Sequence, residues 1–111
     1  MSGSAHHFQI LLHQAAQALG EGAFDSAEAS YRQIIAALPS HPEANHNLSL
    51  ILAQTGRVRE AERRMEKQVK SAPNDVAAHL LLGRILLAEG NSKRGGFLVR
   101  RAVTLLPDNA E

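Results

Sequence analysis

The stretch LLLGRILLAEGNSKRGG, residues 80–96, holds four glycines and three basic residues beside an apolar run. Glycine next to lysine is common in nucleotide-binding loops, but such a loop needs the pattern G-x4-G-K-[ST] between a strand and a helix. Gly83 and Gly90 lie seven residues apart, and Lys93 stands at the wrong distance from both. The glycines are therefore interpreted as structural, and a phosphate site is not expected.

Gly90 belongs to a series of turn residues with a constant spacing. Gly56 and Gly22 precede it in steps of 34 residues. Prolines recur with the same step of 34 residues, at Pro39, Pro73 and Pro107. Each glycine ends one helix-length stretch and favours a left-handed turn, and each proline follows a second such stretch. A constant period of this length indicates one supersecondary unit, repeated and stacked.

Apolar residues recur at three- and four-residue spacing within each stretch, which predicts helices and no strand. The predicted helices span residues 7–20, 24–37, 42–55, 58–71, 76–89 and 92–105. Pro42 is expected near the start of its helix, and Asp75 is expected to cap the next first helix of a repeat. Residues 1–6 are expected to be a disordered leader or an expression remnant, followed by one repeat domain over residues 7–109.

The period and its small and large positions resemble the tetratricopeptide repeat over residues 8–109. The small first-helix position of that family is matched by Ala15, Ser49 and Gly83. The family's second-helix pattern of a small residue, a large residue and a proline is matched three times, by Ala27, Tyr31 and Pro39, by Ala61, Met65 and Pro73, and by Gly95, Val99 and Pro107. The large first-helix aromatic of the family is absent. The resemblance implies an all-α, right-handed α-solenoid of three antiparallel helix hairpins with a concave groove, and repeats at 8–41, 42–75 and 76–109.

Members of this family bind proteins, typically a peptide or a helix in the groove lined by the first helices. The resemblance therefore implies a non-catalytic scaffold with a protein or peptide partner. The groove residues that it implies are Leu12, His13, His46, Asn47, Leu50, Gln54, Leu80, Leu81, Arg84 and Leu87. Arg84 is the only basic residue on a predicted first helix, so we expect it to contribute to recognition. The family's carboxylate clamp is not expected, because only Asn47 matches it. Periodicity does not distinguish groove leucines from core between repeats, and both interpretations stay open.

The last predicted helix carries apolar residues with no further helix to cover them. The residues expected to mediate self-association are Phe97, Leu98, Val103, Leu105 and Leu106. A bare apolar face is an aggregation liability, so we expect either a homo-oligomer or a longer array of repeats. The leading alternative is the repeat region of a larger enzyme, since similar repeats precede glycosyltransferase and sulfotransferase domains; this hypothesis rests on analogy.

Charge is distributed unevenly along the chain. Residues 1–56 carry one basic residue against four acidic ones, whereas residues 57–107 carry eleven against five. Most of the excess lies on predicted second helices, so a second alternative is the binding of RNA or of an acidic partner there. No aromatic residue is expected among these cations for base stacking, so nucleic acid is disfavoured and a solvated face is the simpler interpretation.

Composition excludes several other classes of protein. The chain has no cysteine, and therefore no disulfide framework and no cysteine zinc site. The histidines lack metal-ligand spacing and the serines lack a nucleophile motif, so we expect no metal, no cofactor and no enzymatic activity. No apolar run approaches the roughly 20 residues that cross a bilayer, and the N-terminus lacks a signal-peptide pattern. A cytoplasmic location without membrane insertion is the expectation.

Overall fold

A computed structural model describes residues 2–106 of the chain. Within residues 2–106 there are six α-helices and no strand. The helices are α1 (Ser2–Gly20), α2 (Phe24–Ala37), α3 (Pro42–Gln54), α4 (Val58–Ser71), α5 (Val76–Ala88) and α6 (Ser92–Leu105). They pack as three hairpins, α1–α2, α3–α4 and α5–α6, into a body of 43 × 36 × 25 Å. The predicted all-α solenoid of three helix hairpins is confirmed.

The start of α1 is the one helix boundary that differs by more than one residue from its prediction. α1 begins at Ser2, so residues 2–6 lie in the helix and not in a disordered leader. No proline stands before Phe8 to stop the helix from extending backwards. Met1 and residues 107–111, which include Pro107 and the expected domain limit at 109, lie outside the described residues. The repeat boundaries at 8–41, 42–75 and 76–109 stay predictions.

The three glycine turns have the same geometry because each glycine adopts a left-handed conformation. The φ angles are 77° at Gly22, 85° at Gly56 and 87° at Gly90. In each turn the residue after the glycine donates its backbone N–H to a carbonyl five residues earlier. These bonds join Ala23 to Ala18 at 2.9 Å, Arg57 to Leu52 at 2.8 Å and Asn91 to Leu86 at 2.9 Å. A side chain with a Cβ is strained at such a φ, so the glycine series explains where first helices end.

Polar side chains begin the later repeats. The Asp75 carboxylate accepts a hydrogen bond from the backbone N–H of Ala78 at 3.0 Å, which confirms the predicted cap. The Nδ1 of His41 accepts from the backbone N–H of Ala44 at 3.2 Å in the same way. Pro42 is the first residue of α3, as predicted, where its missing N–H has no partner to lose.

Two buried polar residues stand where the family's large first-helix aromatic is absent. The Asn45 side-chain amide donates to the backbone carbonyls of Pro39 and His41, at 2.9 Å each. The Nδ1 of His79 lies 2.9 Å from the backbone carbonyl of Asp75. Each side chain therefore forms hydrogen bonds to the backbone just before its own helix. These hydrogen bonds stabilise a position that an aromatic ring fills in the family.

Small residues allow the two helices of each hairpin to cross closely. Ala15, Ala27, Ser49 and Ala61 are fully buried. In the last hairpin the crossing is formed by Gly83 and Gly95, and a Cβ placed on Gly95 would lie 2.9 Å from the Gly83 carbonyl oxygen. The core that surrounds these crossings is mainly aliphatic, with Tyr31 and Ile34 as its largest fully buried members on the second helices.

Candidate protein-interaction surfaces

The first helices present a surface of leucines interrupted by a few polar groups. Of the predicted groove residues, five are exposed and four are half-buried. The exposed residues are His13, Gln54, Leu80, Arg84 and Leu87, and the half-buried ones are Leu12, His46, Asn47 and Leu50. Leu81 was assigned wrongly to the groove, because it is only 6% exposed and belongs to the hydrophobic core. α5 is apolar on nearly every side, so its pattern did not separate the core leucine from its exposed neighbours.

Asn47 has a structural contact that its sequence position did not reveal. Its side-chain amide donates to the hydroxyl of Tyr31 at 3.0 Å. Tyr31 is fully buried, and that burial raises the pKa of its hydroxyl. The hydrogen bond therefore satisfies a buried phenol and links α2 to α3. Asn47 lies one repeat before Leu81, so this helix position is directed towards the preceding hairpin and not only towards the groove.

His46 is the polar group with the most unusual surroundings on the first-helix surface. Its Nδ1 is buried and has no hydrogen-bond partner among the described residues. Burial lowers the pKa of His46; the nearby charge of Arg84 acts in the same direction, and that of Asp75 opposes it. The imidazole is therefore neutral near neutral pH, and its buried Nδ1 is not accessible to a partner. The exposed Arg84 on α5 lies near enough to His46 on α3 for its charge to affect the pKa of His46.

The residues predicted to mediate self-association do not lie on one surface. Phe97, Val103 and Leu106 are 60%, 62% and 53% exposed, and Leu105 is half-buried. Leu98 was assigned wrongly, because it is only 5% exposed. It follows Gly95 by one helical turn, so it packs inwards with the helix crossing.

The 34-residue period identifies which exposed apolar residues another hairpin would cover. Leu12, Leu19 and Ile35 are half-buried and pack against the core. Their counterparts in the middle repeat, His46, Ala53 and Val69, are half-buried as well. Their counterparts in the last repeat, Leu80, Leu87 and Val103, are 37%, 43% and 62% exposed. We call Leu80, Leu87 and Val103 the end face, because no following hairpin covers them within the described residues.

Phe97 does not belong to the end face. Its counterparts Ala29 and Arg63 are exposed although a hairpin follows each of them. Another hairpin would therefore leave the Phe97 ring uncovered.

The opposite end of the array has a different chemistry. Ala44, Leu48 and Ile51 on α3 are fully buried, and their counterparts on α5, Ala78, Leu82 and Ile85, are at most 5% exposed. On α1 the corresponding residues are Ile10, Gln14 and Gln17, all of them exposed. Two glutamines thus replace the leucine and isoleucine that pack onto a preceding hairpin, and this face is suited to water.

Ion pairs join the second helices of neighbouring repeats. Arg57 forms a bidentate pair with Glu28 at 2.7 and 2.8 Å. Arg32 bridges Glu28 at 2.9 Å and Glu60 at 3.1 Å. The hydrogen bonds from Arg57 and then from Arg32 hold the pKa of Glu28 at about 2. The pairs Arg32–Glu60 and Arg57–Glu28 span 28 and 29 residues, so helix-period spacing within one helix did not reveal them.

A second bidentate pair links α4 to α6. Arg94 donates two hydrogen bonds to the carboxylate of Glu66, one of them at 2.6 Å, and this contact lowers the pKa of Glu66. Glu60 also pairs with Arg64 at 3.3 Å within α4. Glu60 and Glu66 of α4 are therefore paired with arginines, whereas several cations of α4 form no ion pair within the described residues.

The part of the chain that the structure describes contains no group of three or more histidine, aspartate or glutamate side chains arranged to hold a metal ion. None of the described helices combines the length and the apolar character needed to span a bilayer.

Three stacked helix hairpins with identical turns define an α-solenoid repeat protein of the protein-interaction class. The sequence profile of the tetratricopeptide repeat matches residues 18–85, which is more than half of the chain. The chain therefore belongs to the tetratricopeptide repeat family. No curated protein matches it in sequence.

Solved structures with the same fold include an enzyme. A mutant of the O-GlcNAc transferase from Thermobaculum terrenum is 28% identical with a TM-score of 0.86, over 95% of this chain and 20% of that one. The MamA protein superposes with a TM-score of 0.77 at 20% identity, over 88% of this chain and 54% of that one. The MamA RS-1 ArsTM double mutant superposes with a TM-score of 0.80 at 20% identity, over 89% and 56%. This chain thus spans a fifth of the transferase and about half of the MamA chains, and the MamA likeness is evidence for the fold alone.

Proposed function

We propose that the chain is a non-catalytic interaction module that holds a peptide or an amphipathic helix against its first helices. The observation that carries the proposal is the exposed Arg84 between exposed leucines on α5. Leu80 and Leu87 lie one turn before and after Arg84 on α5 and remain 37% and 43% exposed. Leucines supply apolar area to a bound helix, while the Arg84 cation fixes its register.

A pull-down with quantitative mass spectrometry tests the groove. The wild-type chain is compared with Arg84→Glu and with Leu50→Glu, both on the first helices. Lys70→Glu, an exposed charge reversal on α4, is the matched control. We expect a set of proteins enriched by the wild type and by the control and depleted with both groove variants. Equal enrichment by all four proteins would contradict the groove proposal.

We also propose that, when no partner occupies Leu80 and Leu87, two copies associate through the end face. This proposal is based on the three exposed apolar residues of the end face, whose counterparts in the earlier repeats are covered by the following hairpin. A contact of two end faces is favoured over head-to-tail stacking, because head-to-tail stacking would bury Gln14 and Gln17 against leucine and valine. Buried amides without partners are costly, so the polar end resists such a contact.

Sedimentation velocity over a concentration series tests the association. Val103→Glu is expected to remove the dimer because it places a charge in the contact. Phe97→Glu is the matched control, since it changes an equally exposed apolar residue outside the end face. A monomeric wild type at high concentration, or equal loss of the dimer in both variants, would refute this interface.

A second candidate function is that of a repeat region in a larger enzyme. The 28% identity to an O-GlcNAc transferase over 95% of this chain favours it. In such a protein these repeats would position a substrate or a partner for a catalytic domain elsewhere in the chain. The encoded reading frame beyond Glu111 tests this: a catalytic domain there supports the candidate, and a stop codon directly after Glu111 eliminates it.

A further inference from the structure

The outer surface of α4 and α6 carries two parallel rows of side chains with the same spacing. Within each row the members are four residues apart, and each residue of the second row follows its counterpart by 34 residues. The rows are Arg59, Arg63 and Lys67 on α4, and Lys93, Phe97 and Arg101 on α6. All six side chains are exposed. We call this surface the basic rows.

An aromatic residue does therefore lie among the cations, contrary to the sequence-based expectation. Phe97 stands one helical turn from both Lys93 and Arg101, with its ring 60% exposed. Its counterparts Ala29 and Arg63 show that neither the core nor the stacking of repeats requires an aromatic ring here. The Phe97 ring is therefore available to a partner, and aromatic residues are enriched in protein interfaces.

The cations of the basic rows form no ion pair within residues 6–106, the part of the chain with described side chains. Glu60 and Glu66 of α4 are held by other arginines. Two further carboxylates lie close by: Glu62 and Glu89 line a shallow cleft of about 290 Å³ together with Arg59 and Arg63. Five cations against these two carboxylates leave the surface positive.

Neighbouring repeats of this chain are already joined by pairs of one arginine and one glutamate. Glu28 of α2 accepts two hydrogen bonds from Arg57, which directly precedes α4, and Glu66 of α4 accepts two from Arg94 of α6. Bidentate arginine–carboxylate pairs are strong and geometrically specific. The basic rows present cations in the same way on the outer surface, but no row of glutamates faces them.

We propose that the basic rows bind an acidic helix of another protein, with its glutamates facing the cations and an apolar side chain against Phe97. Row members four residues apart are separated by about 6 Å along the helix axis. Glutamates at the same sequence spacing on a partner helix have the same separation, so the two patterns match. The counterparts on α2 are Asp25, Ala29 and Gln33, which confines the site to the second and third repeats.

Single-stranded nucleic acid fits this surface less well. Its binding sites combine a groove that follows the backbone with several aromatic platforms for successive bases. The basic rows are an outer helix surface, and only one of their six members is aromatic. Arginine–carboxylate pairing between helices, by contrast, is present on the same helices of this chain.

Fluorescence polarisation with a labelled synthetic helix tests the proposal. The probe is an alanine-based peptide of about 18 residues, long enough to be helical, with glutamate at every fourth position and one central leucine. The same peptide with lysine in place of glutamate and a short oligouridine are the comparison probes. We expect the acidic peptide to bind the wild-type chain and its affinity to fall as salt is raised from about 50 to about 300 mM.

Two double variants with equal change in net charge locate the site. Arg63→Glu with Arg101→Glu is expected to weaken binding of the acidic peptide by about tenfold or more. Lys70→Glu with Arg100→Glu, two exposed cations outside the rows, is expected to change it by less than about twofold. Phe97→Ala is expected to weaken binding by about threefold. Circular dichroism checks that each variant is folded.

Three results would overturn the proposal. The first is equal weakening by the two double variants, which would show that binding depends only on net charge. The second is binding of the lysine peptide as tightly as the glutamate peptide. The third is binding of the oligouridine without binding of the acidic peptide, which would assign the surface to nucleic acid.

Discussion

The middle hairpin, α3–α4, and the last hairpin, α5–α6, have the same turns and the same register but different surroundings. Met65 of the middle hairpin is fully buried, while Val99, its counterpart in the last one, is half-buried. The hairpins also differ where their helices cross, with Ser49 and Ala61 in one and Gly83 and Gly95 in the other. The repeat pattern therefore shows which residues are equivalent in the two hairpins. The residues packed around each one determine how much it contributes to stability.

The largest difference is expected at the position of Met65 and Val99. Met65→Ala should lower the free energy of unfolding by about 3 kcal/mol, since it leaves a cavity in the core. Val99→Ala should lower it by about 1 kcal/mol, because the side chain is smaller and half-buried. Urea unfolding followed by circular dichroism measures both. Equal costs would contradict the view that only the middle hairpin is enclosed.

The glycine crossing gives the next largest effect. Gly95→Ala places a Cβ 2.9 Å from both the Gly83 carbonyl oxygen and the Leu87 backbone nitrogen, so a helix must move. We expect a net loss of about 1 to 2 kcal/mol, although alanine favours the helix by about 1 kcal/mol. Gly96→Ala is the control, because its Cβ would meet only the mobile end of Arg100, at 3.3 Å. It should leave the thermal midpoint unchanged or raise it; a lower midpoint would oppose this account.

The junctions between hairpins differ in their ion pairs, and pH should reveal this. The pKa of Glu28 is about 2 in the folded chain, below its ordinary value of 4.5. A depressed carboxylate pKa contributes stability that is complete above the ordinary value and is lost as pH falls towards about 2. Glu28→Gln should therefore lower stability by about 1 kcal/mol at neutral pH, and by progressively less below pH 4.5.

Glu43→Gln is the control for that pH series. Glu43 is exposed and has no ion pair in the part of the chain with described side chains. Denaturant midpoints between neutral and acidic pH should converge for wild type and Glu28→Gln, whereas those for wild type and Glu43→Gln should coincide throughout. A constant difference between wild type and Glu28→Gln across the series would contradict the assigned pairing.

The smallest effect is expected from one substitution made at two equivalent valines. Val69 is half-buried, and Val103, one repeat later, is 62% exposed. Val69→Thr should cost somewhat under 1 kcal/mol, because it partly buries a hydroxyl. Val103→Thr should change stability by less than about 0.5 kcal/mol. Thermal unfolding at low protein concentration measures both; a larger cost at Val103 would mean that the end face is covered in the single chain.

The sequence alone determined the period, the helices and the turns. Gly22, Gly56 and Gly90 mark the helix ends because only glycine adopts their left-handed conformation without strain, a local property. Five of the six helices were predicted to within one residue at both ends. Gly83 and Gly95 were also assigned from the sequence to the small positions of the repeat.

The tertiary structure alone decided which apolar and charged residues are available to a partner. Leu80 is exposed and Leu81 is buried, although they are adjacent on a helix that is apolar on nearly every side. Glu28 and Arg57 form an ion pair although they lie 29 residues apart, a distance that side-chain spacing within one helix does not cover. Burial and pairing of this kind depend on which hairpin stands next to which, and that information lies in the packing of repeats and not in the pattern of any one of them.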